Sequence, residues 1–370
     1  MAYDLLERIA DGLGIPRGHM GLAYADAEGN LATYPEEDGT STNPEEDDEM
    51  ITRRALGSAS VALLGDAVLD GPIMQLGESL LGELGGLRLL SGSADSLGTL
   101  SKNDVAWIRA MTDRLWNLDH QHGGGSVFAA ARAMAEQVVG ALRASSPNRD
   151  LLQAASGLCR VAAWSAFDAG HRRDFWHCQA TALDLARKAG DTALVITTVQ
   201  SAGRAHILTG RHRDAAKLFE LTTVRRAPDA VGWGLLGSAF APISPESARG
   251  TLVHLRDAPG ADTPDATAMI GHVSVDIGDY QTAVAAFTMV LPQRSGRLAV
   301  QERAPLSIAH LQAGEVALGI QHAETALELS ESLRSTQGAD VMRRLGTVLA
   351  AQSDSTAQDL ARRVAAVSAA

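Results

Sequence analysis

The stretch DIGDYQTAVAAF, residues 276–287, places a glycine turn directly before a short helix with a small and an aromatic residue on one side. Ala283 and Phe287 are four residues apart, so they lie on the same face of that helix. Gly278 supplies the turn. The same arrangement returns in LTGRHRDAAKLF, residues 208–219. A turn and a packing pair that recur indicate one structural unit that is present more than once.

Two further segments keep the turn and change the packing positions. They are DAGHRRDFWHCQA, residues 168–180, and QAGEVALGIQHA, residues 312–323. The four turn glycines, Gly170, Gly210, Gly278 and Gly314, are separated by 40, 68 and 36 residues. The long interval admits one degenerate unit, which we place at 231–259.

The degenerate unit contains a clear signal for the start of a helix. Ser244 precedes Pro245 and Glu246, and proline is favoured at the first helical position. The helix before it is rich in glycine, which lowers helix propensity. We therefore expect the stack of units to be locally weak here.

These units resemble the turn and second helix of a tetratricopeptide repeat. The resemblance implies an all-α, TPR-like α-solenoid with about five helix pairs over residues 151–334, closed by C-terminal capping helices over 335–370. A hydrophobic content of 45% with only 4% aromatic residues suits closely packed, alanine-rich helices.

The first helix of each pair lines the concave face of such a solenoid. Arginine binds carboxylates and tryptophan offers rigid contact area, so polar and aromatic residues on these helices are candidate contacts for a peptide or a polar small molecule. Asp168 and His206 also lie on first helices. Any of these polar and aromatic side chains could instead form contacts with a neighbouring helix. The predicted ligand-binding residues are Arg160, Trp164, Gln200, Arg204, Trp233, His272 and Arg303.

Residues 51–145 form a predicted helical connector, in which the string LDHQHGGG separates two helices. HGGG is also found in the oxyanion loop of esterases, but the sequence has no G-x-S-x-G nucleophile elbow. Asp119, His120 and His122 could bind a metal ion, but two histidines two residues apart at a helix end, without a third partner fixed by sequence, are weak evidence, so no metal site is predicted. We interpret the segment as a hinge with polar capping of the helix end. Its residues are Asp119, His122, Gly123, Gly124 and Gly125.

The N-terminal quarter contains two more predicted segments. Residues 1–24 include LERIADGLGIP, an amphipathic helix stopped by a glycine and a proline. Residues 25–50 hold ten acidic residues and no basic one, which accounts for most of the net charge of −12. Such a composition repels itself and buries little apolar area, so we predict a disordered acidic linker.

LERIADGLGIP resembles the last helix of an Xre-type helix-turn-helix domain. The pattern R-L-x-x-L-D-x-x-H-G-G-G, residues 114–125, is similar to a segment between the DNA-binding part and the repeats of actinobacterial Xre-type regulators. The resemblance implies that residues 1–24 are a remnant of a DNA-binding domain whose DNA-reading helices are missing from this chain. DNA is then an expected partner only if an upstream helix-turn-helix is restored.

Two functions follow for a chain of this kind. The first is the ligand- or peptide-sensing part of a transcriptional regulator, with a peptide or small molecule as effector. The second is a protein-binding scaffold, or an antagonist that associates through its repeats with full-length regulators; a homodimer is also possible. No enzyme motif and no cofactor motif is present, so we predict neither activity nor cofactor. Two cysteines and no long apolar run favour a cytoplasmic protein without a membrane segment.

Overall fold

The structure, a computed structural model, describes residue 100 and residues 102–143, 146–225 and 227–368. These residues contain 14 α-helices and no strand, which confirms the predicted all-α fold. The predicted N-terminal helix and acidic linker, together with the connector up to residue 99, lie outside the described residues. The described residues all belong to one unit of the chain, Ala55–Ala370.

The helices are numbered in chain order. Their bounds are α1 Lys102–His122, α2 Phe128–Arg143, α3 Arg149–Asp168, α4 Arg172–Lys188, α5 Thr192–Leu208, α6 His212–Arg225, α7 Ala230–Phe240, α8 Pro245–Asp257, α9 Pro264–Asp276, α10 Tyr280–Val290, α11 Gly296–Gln312, α12 Val316–Ser330, α13 Thr336–Ala350 and α14 Ser355–Ser368. Short 3₁₀ turns are present at Gly124–Ser126 and Leu291–Gln293.

From α3 onward the helices pack as hairpins, each formed by two consecutive helices. Five hairpins, α3/α4 to α11/α12, cover the region in which about five helix pairs are predicted. The two helices after them, α13 and α14, pack together as a sixth hairpin. Before them, α1 and α2 both pack against α3. The result is a solenoid-like stack of hairpins, and the buried side chains of the described residues form four hydrophobic clusters along it.

The glycine turns explain where the first helices end. Gly170, Gly210, Gly278 and Gly314 all have positive φ, between 76° and 85°, immediately after the first helix of a hairpin. A side chain is strained in this left-handed conformation, whereas glycine adopts it freely. The four predicted turns are therefore confirmed.

A glycine of the first helix faces the aromatic residue of the second helix in two hairpins. A Cβ on Gly271 would lie 2.7 Å from the ring of Phe287, and one on Gly203 would lie 2.6 Å from the ring of Phe219. Both rings are fully buried, and so is Ala283 beside Phe287. In each of these hairpins the two helices can therefore approach closely only because the position that faces the aromatic ring is a glycine.

The degenerate unit is present as the hairpin α7/α8, and Ser244 caps α8 with Pro245 in its first turn, as predicted. The expected local weakness of the stack stays a prediction, but the glycines of α7 also have a packing role. A Cβ on Gly234 would overlap the side chain of Met269, and one on Gly237 would overlap the hydroxyl of Thr251. These glycines let neighbouring helices come close, so they contribute to packing in addition to lowering helix propensity.

The first helices of the six hairpins also contact one another in sequence, from α3 through α5, α7, α9 and α11 to α13. Helix α13 in turn contacts α3, so this series of contacts closes on itself. We call the closed series of six first helices the ring, and the sides of these helices that face its interior the inner face. Helix α1 contacts both α3 and α11.

Candidate functional site

The predicted ligand-binding residues all lie on first helices of the hairpins. Two are on α3, two on α5, and one each on α7, α9 and α11. In that order they are Arg160, Trp164, Gln200, Arg204, Trp233, His272 and Arg303. Six of them are partly exposed and Trp164 is buried.

Arg204 and Trp164 are brought together. The guanidinium carbon of Arg204 lies 4.9 Å from the centroid of the Trp164 ring, within the range of a cation–π contact. Trp164 stacks on Phe167, with centroids 5.3 Å apart and an interplanar angle of 6°. Because only 5% of Trp164 is exposed, it is a core side chain that supports Arg204 on the inner face.

Gln200 and Trp233 pack toward neighbouring helices. The amide nitrogen of Gln200 lies 3.0 Å from the point where a Cβ of Gly232 would be, so this side chain touches α7. Trp233 stacks on His254 of α8, with ring centroids 4.6 Å apart. The indole is therefore directed toward the second helix of its own hairpin.

His272 and Arg303 also meet residues of second helices. His272 makes an edge contact with Phe287, with centroids 5.1 Å apart. Burial, and next to it the cation of Arg204, lower the pKa of His272 to about 3, so the imidazole is neutral. Arg303 places Nη1 3.4 Å from Nδ1 of His322 on α12, while its Nε is buried without a hydrogen-bond partner.

The charge of Arg204 interacts with groups from several other helices. Burial lowers the pKa of Arg204 to about 10, and the next largest influence is the cation of Arg297 on α11. The carboxylates of Asp265, Asp119 and Asp168 act in the opposite direction. These residues belong to α9, α1 and α3, so Arg204 lies where these elements approach one another.

The HGGG segment changes the chain direction after α1. It is hydrogen-bonded to the end of α3 and to the residues before α13, the first and last helices of the ring. Gly124 donates its backbone N–H to Oδ2 of Asp168 at the end of α3, at 2.7 Å. Gly125 donates to the carbonyl of Arg334, at 2.9 Å, and Arg334 donates to the carbonyl of His122, at 2.9 Å. The segment interpreted as a hinge is therefore bonded to α3 and to the residues before α13.

The glycines of this segment fill positions where a side chain has no room. Gly123 has φ of +87°, and a Cβ there would lie 2.5 Å from the carbonyl oxygen of Arg334. A Cβ on Gly124 would lie 2.6 Å from the backbone oxygen of Ser165. A Cβ on Gly125 would lie 2.9 Å from the carbonyl oxygen of Arg334. Close backbone approach thus accounts for all three glycines.

Two buried carboxylates meet one arginine beside this segment. Arg297 forms an ion pair with Asp119, and its Nε lies 3.6 Å from Oδ2 of Asp168. All three side chains are at most 1% exposed. Burial raises the pKa of Asp119 to about 6, although the Arg297 cation lowers it. Asp119 therefore depends on Arg297 to keep its charge inside the protein.

Asp168, at the end of α3, connects the first helix of the ring to α13, the last. Its Oδ1 accepts hydrogen bonds from the hydroxyl of Ser335, at 2.7 Å, and from the backbone N–H of Gln337, at 3.0 Å. Both donors lie at the start of α13. We call this cluster the junction; its members are Asp119, Gly124, Asp168, Arg297, Ser335 and Gln337.

A second paired arginine, Arg294, lies just before α11. It meets Asp265 at 2.7 Å and Glu302 at 2.9 Å. Burial raises the pKa of Glu302 to about 7, against the effect of the Arg294 cation. Nearby, burial lowers the pKa of His120 at the end of α1 to about 4.

Arg297, Arg294 and Glu302 are functional candidates that the sequence does not indicate. Arg297 follows Gly296 in a region without a motif, and its partner Asp119 is 178 residues away. A local pattern cannot report a contact over that separation.

No group of three or more His, Cys, Asp or Glu side chains that could hold a metal ion is present in the described part of the chain. None of the helices in that part is long and apolar enough to cross a membrane. Neither the protein-family models nor the curated proteins compared with the chain match it.

Proposed function

We propose that the ring of hairpins is the ligand-sensing part of a transcriptional regulator of the Xre-type, tetratricopeptide-repeat class. The observation that carries the proposal is the inner face, where Arg204 is partly exposed and its guanidinium lies over the buried Trp164. A partly buried cation next to an aromatic ring is suited to a polar ligand. The effector is a peptide or a small molecule that enters the ring.

The junction supplies a route from the ring to the N-terminal part of the chain. Helix α1 follows the residues predicted to hold the helix-turn-helix remnant and the linker, and its C-terminal end is bonded to α3, α11 and the start of α13. A ligand that binds one arrangement of the ring more tightly than another shifts the population between them. That shift changes how α1 packs against the ring. Through α1, ligand binding then affects the N-terminal residues.

A thermal unfolding screen of the full chain tests this proposal. The chain is mixed with a library of short peptides and with fractionated cell extract, and its melting temperature is recorded. A ligand present at a hundred times its Kd adds about 2.7 kcal/mol to the free energy of unfolding, which gives a clear upward shift. The control is a variant with Arg343→Met, an exposed residue on α13, which should respond like the wild type.

The screen also separates the two functions that the sequence leaves open. A saturable shift that disappears in Arg204→Met supports sensing. Absence of a shift with every peptide and extract fraction contradicts it. In that case the scaffold function predicts a stable complex with a second helical-repeat protein, detectable by size-exclusion chromatography.

A further inference from the structure

A cleft between α1, α3 and the start of α5 has no part in the function proposed above. Its volume is about 300 Å³, at the lower end of the range for ligand pockets, so it suits a small molecule. The residues that line it come from three helices. They are Arg109, Thr112 and Asp113 of α1, Gln153, Ala154 and Gly157 of α3, and Asp191 and Leu194 at the start of α5.

The cleft is separate from the contact between Arg204 and Trp164. Gln153 precedes Trp164 by three turns of α3, a distance of about 16 Å along the helix axis. Leu194 precedes Arg204 on α5 by about 15 Å in the same way. The cleft and the contact therefore lie at different ends of the same two helices, and a small ligand in the cleft does not reach Arg204.

Two opposite charges in the cleft have no partner within the protein. Arg109 and Asp113 are exposed, and neither side chain forms a hydrogen bond or an ion pair in the part of the chain that the structure describes. They lie one turn apart on α1 and line the same cleft, so they share a face of that helix. Opposite charges at this spacing can form a salt bridge, but here the guanidinium and the carboxylate stay apart. Both groups are therefore available to a ligand.

The remaining polar side chains of the cleft are held by hydrogen bonds. Asp191 accepts the backbone N–H of Leu194, at 3.0 Å, and the side-chain amide N–H of Gln153, at 2.7 Å. Thr112 donates its hydroxyl to the carbonyl of Ile108, at 2.7 Å. Because the amide nitrogen of Gln153 is bonded to Asp191, its amide oxygen remains as an acceptor. The cleft thus offers Arg109 as a donor and the oxygens of Asp113 and Gln153 as acceptors.

One side of the cleft is apolar. Ala154 and the half-buried Leu194 contribute their side chains. Gly157 leaves space, because the nearest atom to a Cβ at this position would be the methyl carbon of Thr112, at 3.9 Å. A short aliphatic group can therefore pack against α3 while a charged group of the same ligand lies near α1.

We propose that this cleft binds a free α-amino acid, whose carboxylate contacts Arg109 and whose ammonium group contacts Asp113. A guanidinium donates two parallel hydrogen bonds to a carboxylate, and an ammonium group donates to a carboxylate and to an amide oxygen. The Cβ atoms of residues one turn apart lie about 5–6 Å from each other, so one small zwitterion can meet both charges. The site does not depend on the proposed sensing function, because Arg204 takes no part in it.

Isothermal titration calorimetry of the full chain with each of the common L-amino acids tests the site. The titrations are made at low ionic strength, because salt screens exposed charges. Two analogues of the amino acid that binds best each lack one charge. Its amide has no carboxylate and also mimics the first residue of a peptide, and its N-acetyl derivative has no ammonium group. At least one amino acid should bind at one site per chain, and both analogues should bind about tenfold more weakly or worse.

Substitutions on α1 separate the two contacts. Arg109→Met should weaken binding of the amino acid about tenfold or more, but it should not weaken binding of the amide, which makes no use of the guanidinium. Asp113→Asn should weaken binding of both. Both positions are exposed, so the variants should fold like the wild type, which circular dichroism checks. The matched controls are Arg249→Met, at an exposed position on α8, and Arg204→Met, and both should bind like the wild type.

Three results would overturn the inference. They are the absence of binding by every amino acid, an analogue that binds as tightly as its parent, and Arg109→Met and Asp113→Asn variants that bind like the wild type. Binding that is lost in Arg204→Met and kept in Arg109→Met also overturns it, and supports the inner face as the ligand site. Absence of amino-acid binding leaves the sensing function standing, because peptides and extract test that function separately.

Discussion

Arg297 and Arg204 belong to the same solenoid but differ in burial and in their partners. Arg297, in the junction, is 1% exposed and meets Asp119 and Asp168. Arg204, on the inner face, is partly exposed and meets the indole of Trp164. A buried arginine between two carboxylates holds helices together. An arginine without a carboxylate partner has N–H donors that are available to a ligand.

The largest expected effect is the loss of the junction cation. Arg297→Met leaves two carboxylates buried without a positive charge, and such a change costs about 3–5 kcal/mol of the free energy of unfolding. Urea unfolding followed by circular dichroism measures it. Adding Asp119→Asn to Arg297→Met should recover part of the loss, because one of the two buried charges is then removed.

The control for this prediction is a surface arginine. Arg344 pairs with Asp276 at 2.8 Å, and its side chain is 51% exposed. Arg344→Met should change the free energy of unfolding by less than about 1 kcal/mol. Equal losses for the two variants would show that the junction is no more than an ordinary ion pair.

The second expected effect comes from space at the junction. Gly124→Ala places a methyl group against Ser165 and Asp168, which should cost about 1–3 kcal/mol as overpacking. Gly250→Ala, on α8 where nothing lies within 4 Å of the new methyl, should instead stabilise the protein by about 0.5–1 kcal/mol. Chemical unfolding of both variants measures the two signs. Stabilisation by Gly124→Ala would contradict the close packing of the junction.

The third prediction concerns pH and the inner face. The pKa of His272 falls from 6.5 in an unfolded chain to about 3, so the folded state binds fewer protons and stability decreases as the pH falls below 6.5. The pKa values of Asp119 and Glu302 are raised, to about 6 and about 7, and their effect has the opposite sign. Both carboxylates remain in a His272→Gln variant, so they cancel in a comparison with the wild type.

On lowering the pH from 7.5 to 5, the wild type should lose up to about 2 kcal/mol more than His272→Gln. Urea unfolding at the two pH values measures this difference. Parallel losses in the two proteins would mean that His272 is as well hydrated as a surface histidine. The cations that lower its pKa are Arg204, Arg344 and Arg294, so the result also reports on the charge around the inner face.

The hairpins could be predicted because their signals are local. Gly278 and the pair Ala283 and Phe287 lie within ten residues of one another, and each element of the pattern has a direct structural reason. The junction could not be predicted in this way. Its ion pair joins residues 119 and 297, and only the closure of the ring brings them together.

Glycine illustrates a second limit of local patterns. Gly234 in α7 lowers helix propensity, and that property alone predicts a weak element. In the structure it faces Met269 of the next hairpin, where a larger residue would overlap. Propensity describes an isolated helix, and the partner that makes this glycine favourable belongs to another one.

The candidate site was predictable in part. The sequence places seven residues on first helices, and the structure finds all seven there. Periodicity fixes the helix of a side chain and its face only approximately. Trp233 therefore stacks on His254 of its own hairpin, whereas Arg204 contacts Trp164 of a neighbouring hairpin.

The most direct measurement compares the unfolding free energies of Arg204→Met and Arg297→Met in the absence of added ligand. Replacing an arginine that has no carboxylate partner removes a desolvated charge and lets the methionine sulfur contact Trp164. We expect Arg204→Met to be as stable as the wild type or up to about 1 kcal/mol more stable, while Arg297→Met loses about 3–5 kcal/mol. A loss of similar size in both variants would contradict this expectation, because Arg204 would then be a structural arginine like Arg297.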